Sequence, residues 1–154
     1  MTSRNDYIFI ETDTEHPGFQ ALCKELEIEL RERDGEQADA AAVLNAINSL
    51  TVVVLVLDDE NPIACGGFRP YEGETVELKR MYVKPAYRRQ QLASQVLTEL
   101  EQLAKAYQYK YCILETGSNQ PEAVALYEKK GYKAIPPFGR YAGHANSRCY
   151  KKRI

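Results

Sequence analysis

At 154 residues, with 44% hydrophobic and 27% charged side chains, the chain can bury a sizeable core without disulfide or metal staples, which predicts one globular domain over residues 1–154. A formal net charge of −2 excludes nucleic-acid binding driven by bulk charge, and the longest aliphatic run, Val52–Leu57, is too short to cross a bilayer. The opening Met-Thr-Ser-Arg-Asn-Asp leads into no signal-type apolar region. A cytoplasmic location is therefore the default expectation, with neither nucleic acid nor membrane as a partner.

Tyr7–Glu11 alternates apolar and polar residues, as a first strand does. Pro17 opens a helix to about Arg33, with Phe19, Leu22, Cys23, Leu26 and Leu30 at helical spacing and Asp34-Gly35 as its stop. The alanine-rich Ala38–Ile47 reads as a short second helix or a mobile connection. Thr51–Leu57 is a buried strand by its β-branched content. A turn at Asp58–Pro62 sends the chain back as Ile63–Tyr71, in which Gly66-Gly67 predicts a bulge or a close backbone approach. Glu72-Gly73-Glu74 turns into a third strand, Thr75–Val83, and the short turns imply sequential antiparallel pairing.

The most informative stretch follows. Pro85 ends the strand, Arg88 and Arg89 come next, and a long amphipathic helix starts just after them. Two cations at a helix start sit against the positive end of the macrodipole. They make sense beside an anion, which free helix-start N–H groups and guanidinium groups would cradle together. The plain alternative is a solvated surface pair. The helix carries Leu92, Ala93, Val96, Leu97, Leu100, Leu103, Ala104 and Tyr107 on one stripe.

Tyr111–Glu115 is the next strand, and Pro121 starts a short helix that turns Ala123, Val124 and Tyr127 to one side and stops at Gly131. Tyr132–Ile135, broken by Pro136-Pro137, and Arg148–Lys152 complete the strands. The pattern is a mixed sheet with helices packed on it, an α+β or three-layer α/β/α domain. Cys23, Cys65, Cys112 and Cys149 form no Cys-x-x-Cys pair, and no histidine stands at a ligand spacing. Buried reduced thiols are expected, and no metal.

The order of strand, arginine-containing turn, helix, strand and short helix resembles the GCN5-related N-acetyltransferase (GNAT) family. That family's pyrophosphate motif, Gln/Arg-x-x-Gly-x-Gly/Ala, falls on Arg88-Arg89-Gln90-Gln91-Leu92-Ala93. Gln91 departs from it, standing where glycine is usual. The second signature, a leading Asn, then Leu-Tyr and Gly-Phe/Tyr, falls on Gln120, Leu126-Tyr127 and Gly131-Tyr132. Several further segments, Glu77–Val83 among them, look like a branch of small bacterial acetyltransferases.

The resemblance implies a mostly antiparallel central sheet with splayed strands, helices on both faces, and acetyl-CoA entering between the strands that part. Met81, Tyr82 and Val83 would then offer backbone N–H groups to the pantetheine arm and to the oxyanion, although core residues would look the same in the sequence. Arg88, Arg89, Gln90, Gln91, Leu92, Ala93 and Ser94 would hold the pyrophosphate, with Gln120 and Tyr127 also at the cofactor. Tyr127 matches the tyrosine that protonates the departing thiolate in many members; core packing is its bland alternative. The implied reaction is direct acetyl transfer to a small-molecule primary amine in a ternary complex. A non-catalytic acyl-CoA sensor module and a protein N-acetyltransferase are the competing readings. Many relatives pair, which makes a homodimer an expectation.

An ammonium near pKa ~10.4 must lose a proton before it can attack. Glu77 is the first candidate base, Glu115 the second and His144 the outsider; pairing with Lys79 or Arg80 is the alternative for Glu77. Arg69, Lys79, Arg80 and Arg140 could line the acceptor side, and two or more of them pointing inward would ask for an anionic group such as a carboxylate. Phe138-Gly139-Arg140-Tyr141 reads as an aromatic wall or as an ordinary connection.

Overall fold

The computed structural model describes residues 6–34, 40–118 and 120–154. Gly35, the expected stop of the first helix, and Ala38-Asp39, the expected start of the second, lie outside them. The elements run β1 (Ile8–Thr12), α1 (Pro17–Asp34), α2 (Ala40–Asn48), β2 (Val52–Asp58), β3 (Asn61–Pro70), β4 (Thr75–Val83), α3 (Leu92–Ala106), β5 (Tyr111–Gly117), α4 (Pro121–Lys129), β6 (Lys133–Ile135) and β7 (Ser147–Arg153), with short 3-10 turns at Pro85–Tyr87 and Gly139–Tyr141.

The seven strands form one sheet in the order β1-β2-β3-β4-β5-β7-β6. Every neighbouring pair is antiparallel except β4 and β5. That exception follows from α3, which carries the chain back across the sheet before β5 begins.

Strand alternation sorts the core into two layers. Val52, Val54 and Val56 of β2 face a cluster that includes Val96, Leu97 and Leu100 of α3 and Tyr127 of α4. Val53 and Leu55 face the other way, against Phe19, Leu22, Cys23 and Leu26 of α1. Helices therefore cover both faces, as the sequence pattern implied. All four cysteines are buried and unbridged, and burial pushes the Cys23 thiol up to about 11 and that of Cys112 to about 12.

The β3–β4 register shifts between Cys65 and Gly67, where the Gly66-Gly67 pair predicts an irregularity. Cys65 pairs with Tyr82 and Gly67 with Lys79, so the extra residue belongs to β4. Arg80 takes it up in a left-handed backbone conformation, φ +61°. The glycines also permit the close approach. A Cβ on Gly66 would stand 2.5 Å from Met81 Sδ and 2.9 Å from Leu100 Cδ1, which is closer than real side chains approach.

α2 has no buried residue, and Leu44 is 56% exposed. The helix serves as a wall rather than as core.

Candidate active site

β4 and β5 stay in register only from Thr75↔Tyr111 to Leu78↔Leu114. Beyond that point β4 continues to Val83, while β5 keeps its pairing with β7 through Gly117. The two strands diverge, which leaves the far half of β4 with an open edge. The Lys84 N–H bonds back to the Ile63 carbonyl on β3. By alternation, the Val83 N–H faces the open side. Met81 packs partly into the α3-side core, and Tyr82 is buried on the α1 side, where its hydroxyl meets Glu25 Oε1 at 3.3 Å.

At the end of β4 the chain turns through Pro85–Tyr87 into the start of α3. Arg89 and Gln91 are left-handed, at φ +66° and +63°. Gln91 is the N-cap residue of α3, yet its side chain makes no capping bond, and the first turn carries no acidic residue. The N–H groups of Leu92, Ala93 and Ser94, at the positive end of a 15-residue helix, thus have no side-chain acceptor among the described residues. Gln91 adopts the backbone conformation that glycine takes most cheaply, with its side chain exposed.

The two arginines differ. Arg88 donates from Nη2 to Glu29 Oε1 at 2.7 Å and from Nε to the Val83 carbonyl at 2.8 Å, and its guanidinium lies 5.7 Å from the Tyr82 ring centre. Arg89 is exposed and makes no ion pair among the described residues. The Gln90 amide oxygen accepts the Tyr7 hydroxyl at 3.0 Å. Gln120 is the N-cap of α4, its N–H bonded to the Gly117 carbonyl.

A cleft of about 400 Å³ opens over β3 and β4, on the face that α2 covers, and Lys79, the first β4 residue past the last β4–β5 pair, lines it. Its walls are α2, through Ala42, Asn45 and Ala46, the strand residues Arg69, Glu77 and Lys79, and the Phe138–Tyr141 loop with Tyr71. Phe138 makes edge-on contacts with Tyr71 and with Tyr141, each at 5.3 Å. Of the four cations assigned to this side, Arg69, Lys79 and Arg140 line the cleft.

Arg80 does not, and that expectation needs correcting. Its left-handed backbone turns the side chain to α1, where Nη1 stands 3.6 Å from Glu27 Oε2, both atoms buried and without a hydrogen bond among the described residues.

Glu77 is only 4% exposed and fully engaged. Its Oε1 accepts Arg69 Nε at 3.0 Å, and its Oε2 accepts Lys79 Nζ at 3.4 Å and the Tyr141 hydroxyl at 3.1 Å. The pairing alternative holds for Lys79, with Arg69 in place of Arg80. Burial lowers the Lys79 pKa, opposed by the Glu77 charge.

Glu115 stands on β5 one residue past the last paired position, half-buried, with Oε2 accepting the Ser147 hydroxyl at 2.8 Å. Burial raises its pKa; the Ser147 hydrogen bond and the charges of Lys79 and Arg140 act the other way. Ser147 escaped the sequence reading because nothing local marks a serine across a β5–β7 pair. His144 is exposed in the loop after Tyr141.

Tyr127 lies on the opposite face of the sheet, edge-on to Tyr132 at 5.8 Å and tilted against Tyr150 at 6.5 Å. Desolvation pushes its phenol well above the usual range, with the Glu115 charge adding to the shift. The strand divergence thus has a carboxylate approaching from the cleft side and a phenol from the other.

Among the described residues, no group of three or more His, Cys, Asp or Glu side chains is arranged to hold a metal ion, and no helix is long and apolar enough to cross a membrane. The family model for the acetyltransferase (GNAT) family matches residues 19–132. An IAA acetyltransferase of Azospirillum brasilense is 38% identical over 80 residues, 51% of this chain and 52% of that one. The chain thus spans about half the length of the curated relatives it matches. A crystal structure from Klebsiella pneumoniae assigned as an acyl-CoA N-acyltransferase superposes with a TM-score of 0.82 at 25% identity, over 98% of this chain and 99% of that one. A GNAT-family acetyltransferase from Elizabethkingia anophelis, solved with acetyl-CoA bound, shares the fold at a TM-score of 0.72 and 16% identity, over 98% of this chain and all of the other.

Proposed function

The chain belongs to the GNAT acetyltransferase family, and from that premise we propose that it transfers an acetyl group from acetyl-CoA to a primary amine of a small molecule, by direct attack in a ternary complex. One observation carries the reading: the open edge of β4 runs directly into an uncapped helix N-terminus. An extended, amide-containing arm ending in a diphosphate needs both, in that order. The turn from Arg88 to Ser94 would hold the diphosphate chiefly through the N–H groups of Leu92, Ala93 and Ser94. Met81 and Val83 would bond the arm through the backbone, and Gln120 and Tyr127 would border it from α4. Bound acetyl-CoA supplies an activated thioester.

The residues around the divergence then divide the proton work. Glu115 takes a proton from the acceptor ammonium, directly or through one water, because its buried carboxyl is the one not locked between cations. The amine nitrogen attacks as the C–S bond breaks, and backbone N–H groups of β4 stabilise the oxyanion. Tyr127, which keeps its proton at neutral pH, donates to the departing sulfur and is reprotonated from the nitrogen through solvent. Glu77 becomes a positioning residue that holds Arg69, Lys79 and Tyr141 in place.

Two measurements test the reading. Calorimetry with acetyl-CoA should show saturable binding, and thiol release should appear with some member of an amine panel. Absence of acetyl-CoA binding overturns it; binding with no turnover across amines and peptides favours a sensor module instead.

A further inference from the structure

The charges in the cleft are unequal. Arg69, Lys79 and Arg140 face a single lining carboxylate, Glu77. Both Glu77 oxygens are occupied by Arg69, Lys79 and the Tyr141 hydroxyl, so no lining carboxylate is left for a second ammonium group. A polyamine or an aminoglycoside would bring several positive charges into a wall that already carries an excess of them. Arg140 is the cation left over. It makes no ion pair among the described residues, and its guanidinium lies 5.3 Å from the Tyr141 ring centre, which orients the planar fork.

Apart from Asn45 and Ser49, the rest of the lining is aromatic or small. Tyr71, Phe138 and Tyr141 form an edge-to-face series on one side, and Ala42 and Ala46 leave room on the other. At about 400 Å³ the cleft suits a molecule of amino-acid size better than a peptide. Glu115 does not line the cleft; it stands on β5 one residue past the last position paired with β4, and the charges of Lys79 and Arg140, which do line it, act on its carboxyl.

Building on the acyl-transfer reading above, we propose that the acceptor is a free α-amino acid with an apolar, preferably aromatic, side chain, its carboxylate held by Arg140, its side chain against Tyr71, Phe138 and Tyr141, and its amino group at Glu115. In the transfer one ammonium proton passes to Glu115, the N–C(acetyl) bond forms as the C–S bond breaks, and the second nitrogen proton ends on sulfur.

The test is thiol release with L-phenylalanine, L-leucine, L-phenylalanine methyl ester, phenethylamine and spermidine. It is paired with calorimetry of L-phenylalanine on the protein preloaded with coenzyme A. The expected result is a kcat/KM for L-phenylalanine at least about tenfold above those of its ester and of phenethylamine, as a charged hydrogen-bonded pair requires. Arg140→Gln should shrink that ratio towards unity and abolish the calorimetric signal, with its melting temperature checked against wild type. Phenethylamine or spermidine turning over as well as L-phenylalanine overturns the proposal while acetyl transfer stands. Acetyl-CoA binding without turnover or binding of either amino acid also overturns it. Failure to bind acetyl-CoA, or binding with no turnover across the wider panel of amines and peptides, would bring down the underlying reading.

Discussion

Arg88 Nη2 stands 2.7 Å from Glu29 Oε1, an ion pair that ties α1 to the turn between β4 and α3. The same guanidinium holds the Val83 carbonyl, so its role is to brace the turn from behind. The sequence motif alone suggests that Arg88 grips phosphate oxygens. The two roles make opposite forecasts for Glu29.

If Arg88 braces the turn, Arg88→Gln and Glu29→Gln should each weaken acetyl-CoA binding by about 1 kcal/mol, roughly fivefold, and the double variant should be no worse than either. Isothermal titration of the four proteins reads this cycle. Unchanged or tighter binding in Glu29→Gln would mean that Arg88 contacts the phosphates itself. Arg89, exposed and unpaired among the described residues, is the better candidate for that contact. Arg89→Gln should reduce the salt dependence of binding.

Gln91 holds φ +63° at the N-cap of α3. A left-handed conformation costs a non-glycine residue about 1–2 kcal/mol, while glycine adds about 0.5–1 kcal/mol of unfolded-chain entropy. The difference favours Gln91→Gly by up to about 1.5 kcal/mol, a rise in melting temperature of up to about 3–6 °C. Gln91→Val should lower it, because a β-branched residue fits this region worst. A thermal melt in which glycine is clearly the less stable would show that the Gln91 side chain contributes more than its backbone costs.

Glu115 supplies the pH dependence. Burial raises its pKa in the folded protein, so the folded state holds this proton more tightly than the unfolded chain does. Its contribution to stability is complete below the unfolded pKa and is lost as pH rises through the raised folded value. Glu115→Gln should therefore be relatively more stable near neutral pH than in acid, compared with wild type. Activity runs the other way, since only the ionised carboxylate accepts a proton. Turnover should fall as pH drops through the raised pKa, and Glu115→Gln should lose about 10²-fold in kcat together with that acidic limb. Retention of both in the variant would remove Glu115 from the reaction.

How legible the site was depended on distance along the chain. The strand, the arginine-bearing turn, the helix start and the Leu126-Tyr127 helix carry local signals, in the form of period, proline and capping chemistry, and their ranges fall close to the expected ones. The state of Glu77 could not be read that way. Arg69 is eight positions away and Tyr141 sixty-four, so only the folded register makes that cluster. Arg80 defied alternation for a similar reason: one left-handed residue in β4 turned its side chain to the opposite layer. The wall made by α2 was invisible because an alanine-rich helix with no buried residue carries no core pattern.

Tyr127 tests whether the far side of the divergence is chemical or merely packed. Its ring is buried against Tyr132 and Tyr150, which a phenylalanine would reproduce. Its hydroxyl has no hydrogen-bond partner among the described residues, so removing it leaves no orphaned group and should shift the melting temperature little. Acetyl-CoA affinity should also hold, because ground-state binding rests on the α3 turn and β4. A thiolate is a good leaving group, so an acid contributes less here than with a poor one, and Tyr127→Phe should lower kcat by about tenfold to a hundredfold. The loss should grow for substrates in which C–S cleavage limits the rate. Equal kcat in the two proteins would return Tyr127 to the core and leave solvent as the proton donor to sulfur.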